Sequence, residues 1–352
     1  MSLAAPMAPL PLHRLISFSN HFRRPILSAR DAAPHKEWFH FCVLAPGLDL
    51  FLNFSAMETD GAGLPRRETA RVTILVRTDE GWDGDVDTIP PHQVLIRRSA
   101  IDATLGASRM RFDERGFTLE ASLADRPIAL TLTLTPETMP LMRPNTPLEE
   151  GPIHWLVVPR LAASGTVRVG DREFSVENAP AYHDHNWGRF RWGHDFAWQW
   201  GFALPSLAAA PWSLAFVRLI NRARTSDLGH GLFLWRRGLQ RRIFREGEVS
   251  ITPRGHFAPA RIAKFPRALA LLAPELTTDV PRTLEIAAAA RGDAVRCRFE
   301  AEDLAQVVIP DDGDFGLTVI NEVRGRLTME GTVDGEAVAM EGRSVFEFLS
   351  HG

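Results

Sequence analysis

Apolar side chains along this chain recur at every second position far more often than at helical spacing. "ARVTILVRT" (70–78), "FTLEASL" (117–123), "IALTLTLTP" (128–136) and "GTVRVGDREFSV" (165–176) all alternate in this way, as strands with one buried face do. "RTLEIAAAA" (282–290), "AVRCRFEAE" (294–302) and "RGRLTMEGTVDGEAVAMEGRSVFEF" (324–348) continue the pattern. Clusters of Gly, Pro, Asp and Asn separate the runs and mark turns. The Asp-Gly pair inside "VDGE" (333–336) predicts a tight two-residue hairpin. Only 206–210 and 261–273 look helical. Many short strands at this spacing predict an all-β protein built from antiparallel barrels or sandwiches.

The 352 residues are enough for two domains of ordinary size. A weak internal echo points the same way. "GTVRVGDREFSVENAPAYHD" (165–184) and "GTVDGEAVAMEGRSVFE" (331–347) both run Gly-Thr-Val, turn, strand, and then a strand that ends in a carboxylate. The boundary is expected near 160–180, after the Pro-rich "MPLMRPNTPLEEGP" (139–152). This gives a basic N-terminal segment over 1–35, a first β domain over 36–165 and a second over 166–352.

Residues 1–30 contain no Asp or Glu, yet they carry Arg14, Arg23, Arg24 and Arg30 among Leu12, Leu15, Ile16, Phe18 and Phe22. Two readings follow: a loosely ordered tail, favoured by the Ala/Pro-rich start, or a basic amphipathic contact with an anionic membrane surface. A cleaved signal peptide is not expected, because proline and histidine break the apolar stretch. No apolar run is long enough for a transmembrane helix. The net charge of -3 gives no basic excess for nucleic acid. Lys36 and Lys264 are the only lysines, which makes a Schiff-base mechanism a poor fit. Cys42 and Cys297 cannot build a disulfide scaffold, so free thiols in a reducing cytoplasm are expected.

The chemistry concentrates in "YHDHNWGRFRWGHDFAWQWG" (182–201), which begins with the only tyrosine of the chain, Tyr182, and holds four of its nine tryptophans. If 181–187 is extended, Tyr182, Asp184 and Asn186 share one face, and His183, His185 and Trp187 share the other. An aspartate among aromatic rings loses solvation and its pKa rises. A protonated Asp184 could then act as general acid, oriented by Tyr182 and Asn186. Tryptophan faces could stabilise developing positive charge. The alternative is a strand-end aspartate that accepts turn N–H groups beside a core tyrosine. His183 and His185 could chelate a metal with His194 or Asp195, a permissive spacing without a tight signature. The favoured reading has them hydrogen-bond across a domain interface or tune Asp184, with no metal. Trp198 and Trp200 share a face and are read as pocket wall. His154, beside Trp155, reads alone as a core histidine. No dinucleotide loop, Walker loop or nucleophile elbow occurs. Cofactor-free chemistry or plain ligand binding remains.

"AYHDHNWG" (181–188) followed by "FAWQWGFAL" (196–204) resembles the signature of the AttH / hydroxyneurosporene synthase superfamily, which includes carotenoid 1,2-hydratases and relatives of polyene-folding pericyclases. "KEWFHFCVL" (36–44) resembles the N-terminal strand of that family, and 321–348 resembles its closing hairpin. The resemblance implies two lipocalin-like antiparallel β-barrel domains. It also implies a Tyr-x-Asp acid at Tyr182 and Asp184, aided by an upstream His-x-Trp. Here His154 and Trp155 are adjacent, so they face opposite ways and at most one can serve. Asp184-His185-Asn186 stands where the hydratases read Asp-Ser-Asn. The resemblance therefore implies a related hydro-lyase or cyclase acting on a hydrophobic polyene or isoprenoid. The expected catalytic residues are Asp184, Tyr182 and His154. Asn186, Trp155, Trp187, Trp198 and Trp200 are expected to bind substrate. A non-catalytic carrier of a lipophilic ligand and a pericyclase-like scaffold are the alternatives.

Overall fold

A computed structural model describes residues 11–23, 33–61, 64–192, 196–204, 211–223, 225–272, 279–313 and 316–351. The alternating segments form long antiparallel strands in two sheets of twelve and ten strands. These are two lipocalin-like barrels side by side. One short parallel pairing, Ala263–Phe265 with 305–307, interrupts the antiparallel order. The only helices of more than one turn among the described residues are Leu12–Ser19 and Arg267–Leu272. The second lies within the predicted helical stretch 261–273, whereas 206–210 lies outside the described residues. No helix among the described residues is long and apolar enough to cross a membrane.

In each sheet an early strand pairs with a late one. His35–Ala45 runs antiparallel to Arg172–Arg189 in the first sheet, and Phe196–Leu204 to Glu336–His351 in the second. The Asp-Gly hairpin forms as predicted between Leu317–Val333 and Glu336–His351. Its two central residues, Asp334 and Gly335, both have positive φ, 52° and 73°, which lets the turn follow the strand twist.

Two expectations need correction. The change of sheet does not fall near 165–166. Arg172–Arg189 continues the hairpin begun by Pro152–Val169, and both belong to the first sheet, so the Tyr182–Gly188 motif does too. The Pro-rich stretch before this hairpin also belongs to the first sheet, because Leu141–Pro147 pairs with Pro152–Val169. The second correction concerns the N-terminal segment, which is not a loose tail over 11–23. Leu12–Ser19 is helical, and Ile16, Asn20 and Phe22 are buried.

Strand parity sorts the apolar side chains into three cores. Phe39, Phe41 and Val43 pack inside the first barrel with Leu50, Leu52 and Phe54. Phe346 and Phe348 pack inside the second with Phe216 and Phe299. Residues of the other parity, Cys42, Leu44, Val345 and Leu349, meet Trp198, Trp200 and Phe202 of Phe196–Leu204 between the barrels. That middle layer carries the polar groups described next.

Candidate active site

Residues directly opposed on antiparallel strands share a face. His40 opposes Asp184, Trp38 opposes Asn186, and Cys42 opposes Tyr182. On the other side of the same strand, Trp155 opposes Asn186. The second sheet contributes Glu347 opposite Trp200, and Glu322 opposite Glu347. All these positions face the layer between the barrels.

Two hollows open there. The smaller, about 50 Å3, is walled by Trp38, Trp155, Trp198 and Trp200 and reached by Asp184, Asn186 and Glu347. The larger, about 280 Å3, lies beside it and includes Glu322, Trp192 and Arg71. The two share Trp38, His40, Trp198 and Glu347. The larger approaches the low end of small-molecule sites, roughly 300 Å3.

Asp184 is only 3 % exposed. Tyr182 O–H donates to its Oδ2 at 3.1 Å, and Asn186 Nδ2–H donates to Oδ1 at 2.8 Å. Trp200 Nε1–H donates to the Tyr182 oxygen at 3.0 Å, and the Tyr182 ring stacks on Phe202 at 4.0 Å. The phenol is thus fixed by a donor, an acceptor and a stacked ring. Burial pushes Asp184 up to about 8, although donors from Tyr182, Trp155 and Asn186 favour its charged form. Glu322 is also pushed up to about 8 by burial, with the Asp184 charge adding to it. Glu347 is raised well above the carboxylate range, first by burial and then by Glu322 and Asp184. Three carboxyl groups therefore favour their acid forms around one greasy layer. The Trp155 and Trp198 indole N–H groups lie beside Asp184 and Glu347 without a well-formed hydrogen bond. His40 is pushed down to about 4 by burial, so its ring is neutral near pH 7.

The opposite face of the motif is different. His183 Nδ1–H donates to the His40 carbonyl at 2.9 Å, and Asn20 Nδ2–H donates to His183 Nε2 at 2.8 Å. His185 Nδ1–H donates to Asn20 Oδ1 at 3.0 Å, and its Nε2 meets Glu37 Oε1 at 2.8 Å. Burial alone would raise Glu37, but hydrogen bonds from His185 and His35 outweigh it and hold the carboxylate low. These histidines lie inside the first barrel, not at the domain interface. Among the described residues no cluster of three His, Cys, Asp or Glu could hold a metal ion. His194 and Asp195 lie outside the described residues.

Of the residues expected to act together, Asp184, Tyr182, Asn186, Trp155, Trp198 and Trp200 converge between the barrels. His154 and Trp187 do not. They oppose each other on the other face, with rings 5.1 Å apart and nearly parallel, and Arg23 lies over Trp187 at 4.7 Å. Parity decides between the adjacent His154 and Trp155, and it sends Trp155 to the hollow.

His40, Trp38, Glu322 and Glu347 were not expected at the site. One signal for Glu347 was present. The two hairpins of the internal echo end at Asp184 and Glu347, one in each sheet, and both carboxyls line the smaller hollow.

Comparison with known proteins shows the fold but not the activity. No family model and no curated protein matches the sequence. Among solved structures, an AttH candidate from Nitrosomonas europaea covers 99 % of this chain and 98 % of its own, at 14 % identity and a TM-score of 0.62. Kievitone hydratase from Nectria haematococca matches over 90 % of this chain and 88 % of its own, at 11 % identity and TM-score 0.56. CghA matches over the same shares, at 12 % identity and TM-score 0.53. The chain shares the AttH-type, paired lipocalin-like fold of these proteins.

Proposed function

We propose that this chain binds an apolar, unsaturated small molecule between its barrels and that Asp184 donates a proton to a carbon–carbon double bond. The observation that carries this reading is a carboxyl group buried among indoles, aimed by Tyr182 and Asn186, with its pKa pushed up to about 8. It is an acid still holding its proton near pH 7, at the wall of a hollow.

The proposed step needs no cofactor. The Asp184 proton forms a new C–H bond while the alkene π pair is consumed, leaving a cation at the neighbouring carbon. Trp155, Trp198 and Trp200 surround that charge, each ring being worth about 0.5–2 kcal/mol of cation–π attraction. Water adds its oxygen to the cation and returns a proton to the Asp184 carboxylate, which closes the cycle as a hydration. Capture by a second alkene of the same molecule, with loss of a proton, gives cyclisation instead. Tyr182 positions the acid through its 3.1 Å hydrogen bond. His40, neutral and opposite Asp184, is placed to orient water. The shared fold with a protein named kievitone hydratase agrees with this reading at the level of scaffold only.

The test compares wild type with Asp184→Asn on the lipophilic compounds that co-purify, identified by mass spectrometry. In H2 18O the wild type gives a product with a labelled hydroxyl if it hydrates. In D2O it gives solvent deuterium on carbon for hydration and cyclisation alike. The variant binds the same compound and does not convert it. A product free of both labels favours a pericyclase-like scaffold, and a compound released unchanged favours a carrier. Full turnover by the variant removes the acid role.

A further inference from the structure

The larger hollow contains a charge that the proton transfer does not use. Arg71 lines it from strand Leu64–Thr78, between Ser55 and Thr88 in register. Its guanidinium is largely withdrawn from water, and burial lowers its pKa while the Asp312 charge offsets part of that. Among the described residues this side chain makes no hydrogen bond and no ion pair, and its Nε is buried with no acceptor. Asp312, the countercharge that it senses, is already held by Lys36 Nζ at 2.7 Å and by the Trp192 N–H at 2.9 Å. Glu322 and Glu347 line the same hollow, but burial favours their uncharged forms. Arg143, the other arginine of the two hollows, contrasts with Arg71: its Nη1–H donates to the His230 carbonyl at 3.4 Å, and Glu246 supports its charge.

A desolvated cation is costly unless an anion or strong acceptors compensate it. The planar fork of a guanidinium matches the paired oxygens of a carboxylate, as it does those of a phosphate. More donors wait beside it. Trp192 Nε1 is buried without an acceptor, and Thr73 and Thr88 bring hydroxyls to the same wall.

We infer that the natural substrate is amphipathic rather than a plain hydrocarbon, with a carboxylate-type anionic head on Arg71 and an unsaturated apolar body reaching towards Asp184. The inference rests on the reading of the two hollows as one substrate site. It adds a second recognition point and a polarity to that site: head in the larger hollow, double bond in the smaller.

The experiment titrates the full chain with geranic acid and with its methyl ester, following tryptophan fluorescence, for wild type, Arg71→Gln and Arg71→Lys. The wild type is expected to bind the acid about tenfold more tightly than the ester, the size of one charge-assisted pair. Arg71→Gln is expected to remove that preference while its ester affinity stays within about twofold, which also shows that the variant is folded. Arg71→Lys keeps part of the preference because it keeps the charge. Equal affinity for acid and ester in the wild type overturns the head-group inference and leaves the substrate site standing, as does a preference that survives in Arg71→Gln. Failure of both compounds to bind the wild type overturns the inference and the substrate site together.

Discussion

One strand presents two faces within six residues, and they have opposite chemistry. On the face towards the first barrel, His183 and His185 are buried, yet each of their ring nitrogens has a partner in Asn20, Glu37 or the His40 carbonyl. On the face towards the second barrel, Asp184 is as deeply buried, but its carboxyl is pushed up to about 8 beside indole N–H groups that lack well-formed hydrogen bonds. A folded interior normally satisfies its polar groups. The first face does so and reads as architecture. The second keeps polar groups in an energetically unfavourable setting next to open space, the arrangement expected where a ligand completes the site.

Substitutions can break this contrast. Asp184→Asn should have the largest effect, lowering turnover by about 10^2–10^4-fold, the usual worth of a positioned acid, with binding retained. The sign of the wild-type pH profile follows from the raised pKa. The active acid form predominates below about 8, so the rate should hold at lower pH and fall as pH rises through that value. On the other face, His185→Ala should cost about 3–5 kcal/mol of stability, because it strips Glu37 of a buried partner. Chemical denaturation measures that loss, and turnover per folded molecule should stay near wild type. A large loss of turnover without loss of stability would erase the distinction between the faces. The smallest effect is expected from His154→Ala. Its ring is partly exposed and stacked on Trp187 away from the hollow, so the change should cost below about 1 kcal/mol and leave activity unaltered.

What could be read from sequence was local, and what could not was long-range. Alternation gave the strands, and Asp-Gly at 334–335 gave its hairpin, because both depend on neighbours in the chain. Parity alone brought Tyr182, Asp184 and Asn186 to one face. The same parity already put Trp187 on the other face, against its expected place among the substrate-binding residues. Trp155 and His154 could be separated by parity but not ranked, since nothing local says which face meets the second barrel. His40 comes to the site through a pairing that spans more than a hundred residues, and Glu322 through its neighbour Glu347, which pairs with Trp200 across a comparable stretch. The domain boundary was misplaced for a related reason. The boundary was expected soon after the Pro-rich 139–152, yet Leu141–Pro147 pairs within the first sheet, and the chain changes sheets only between Arg189 and Phe196.

The central claim concerns one proton, and infrared difference spectroscopy of wild type against Asp184→Asn reads it directly. The account predicts a carbonyl band of an un-ionised carboxylic acid at pH 6.5 that is absent from the variant and bleaches with a midpoint near 8. A wild type with no such band at pH 6.5, in which Asp184 titrates like an ordinary aspartate near about 3.9, would contradict it.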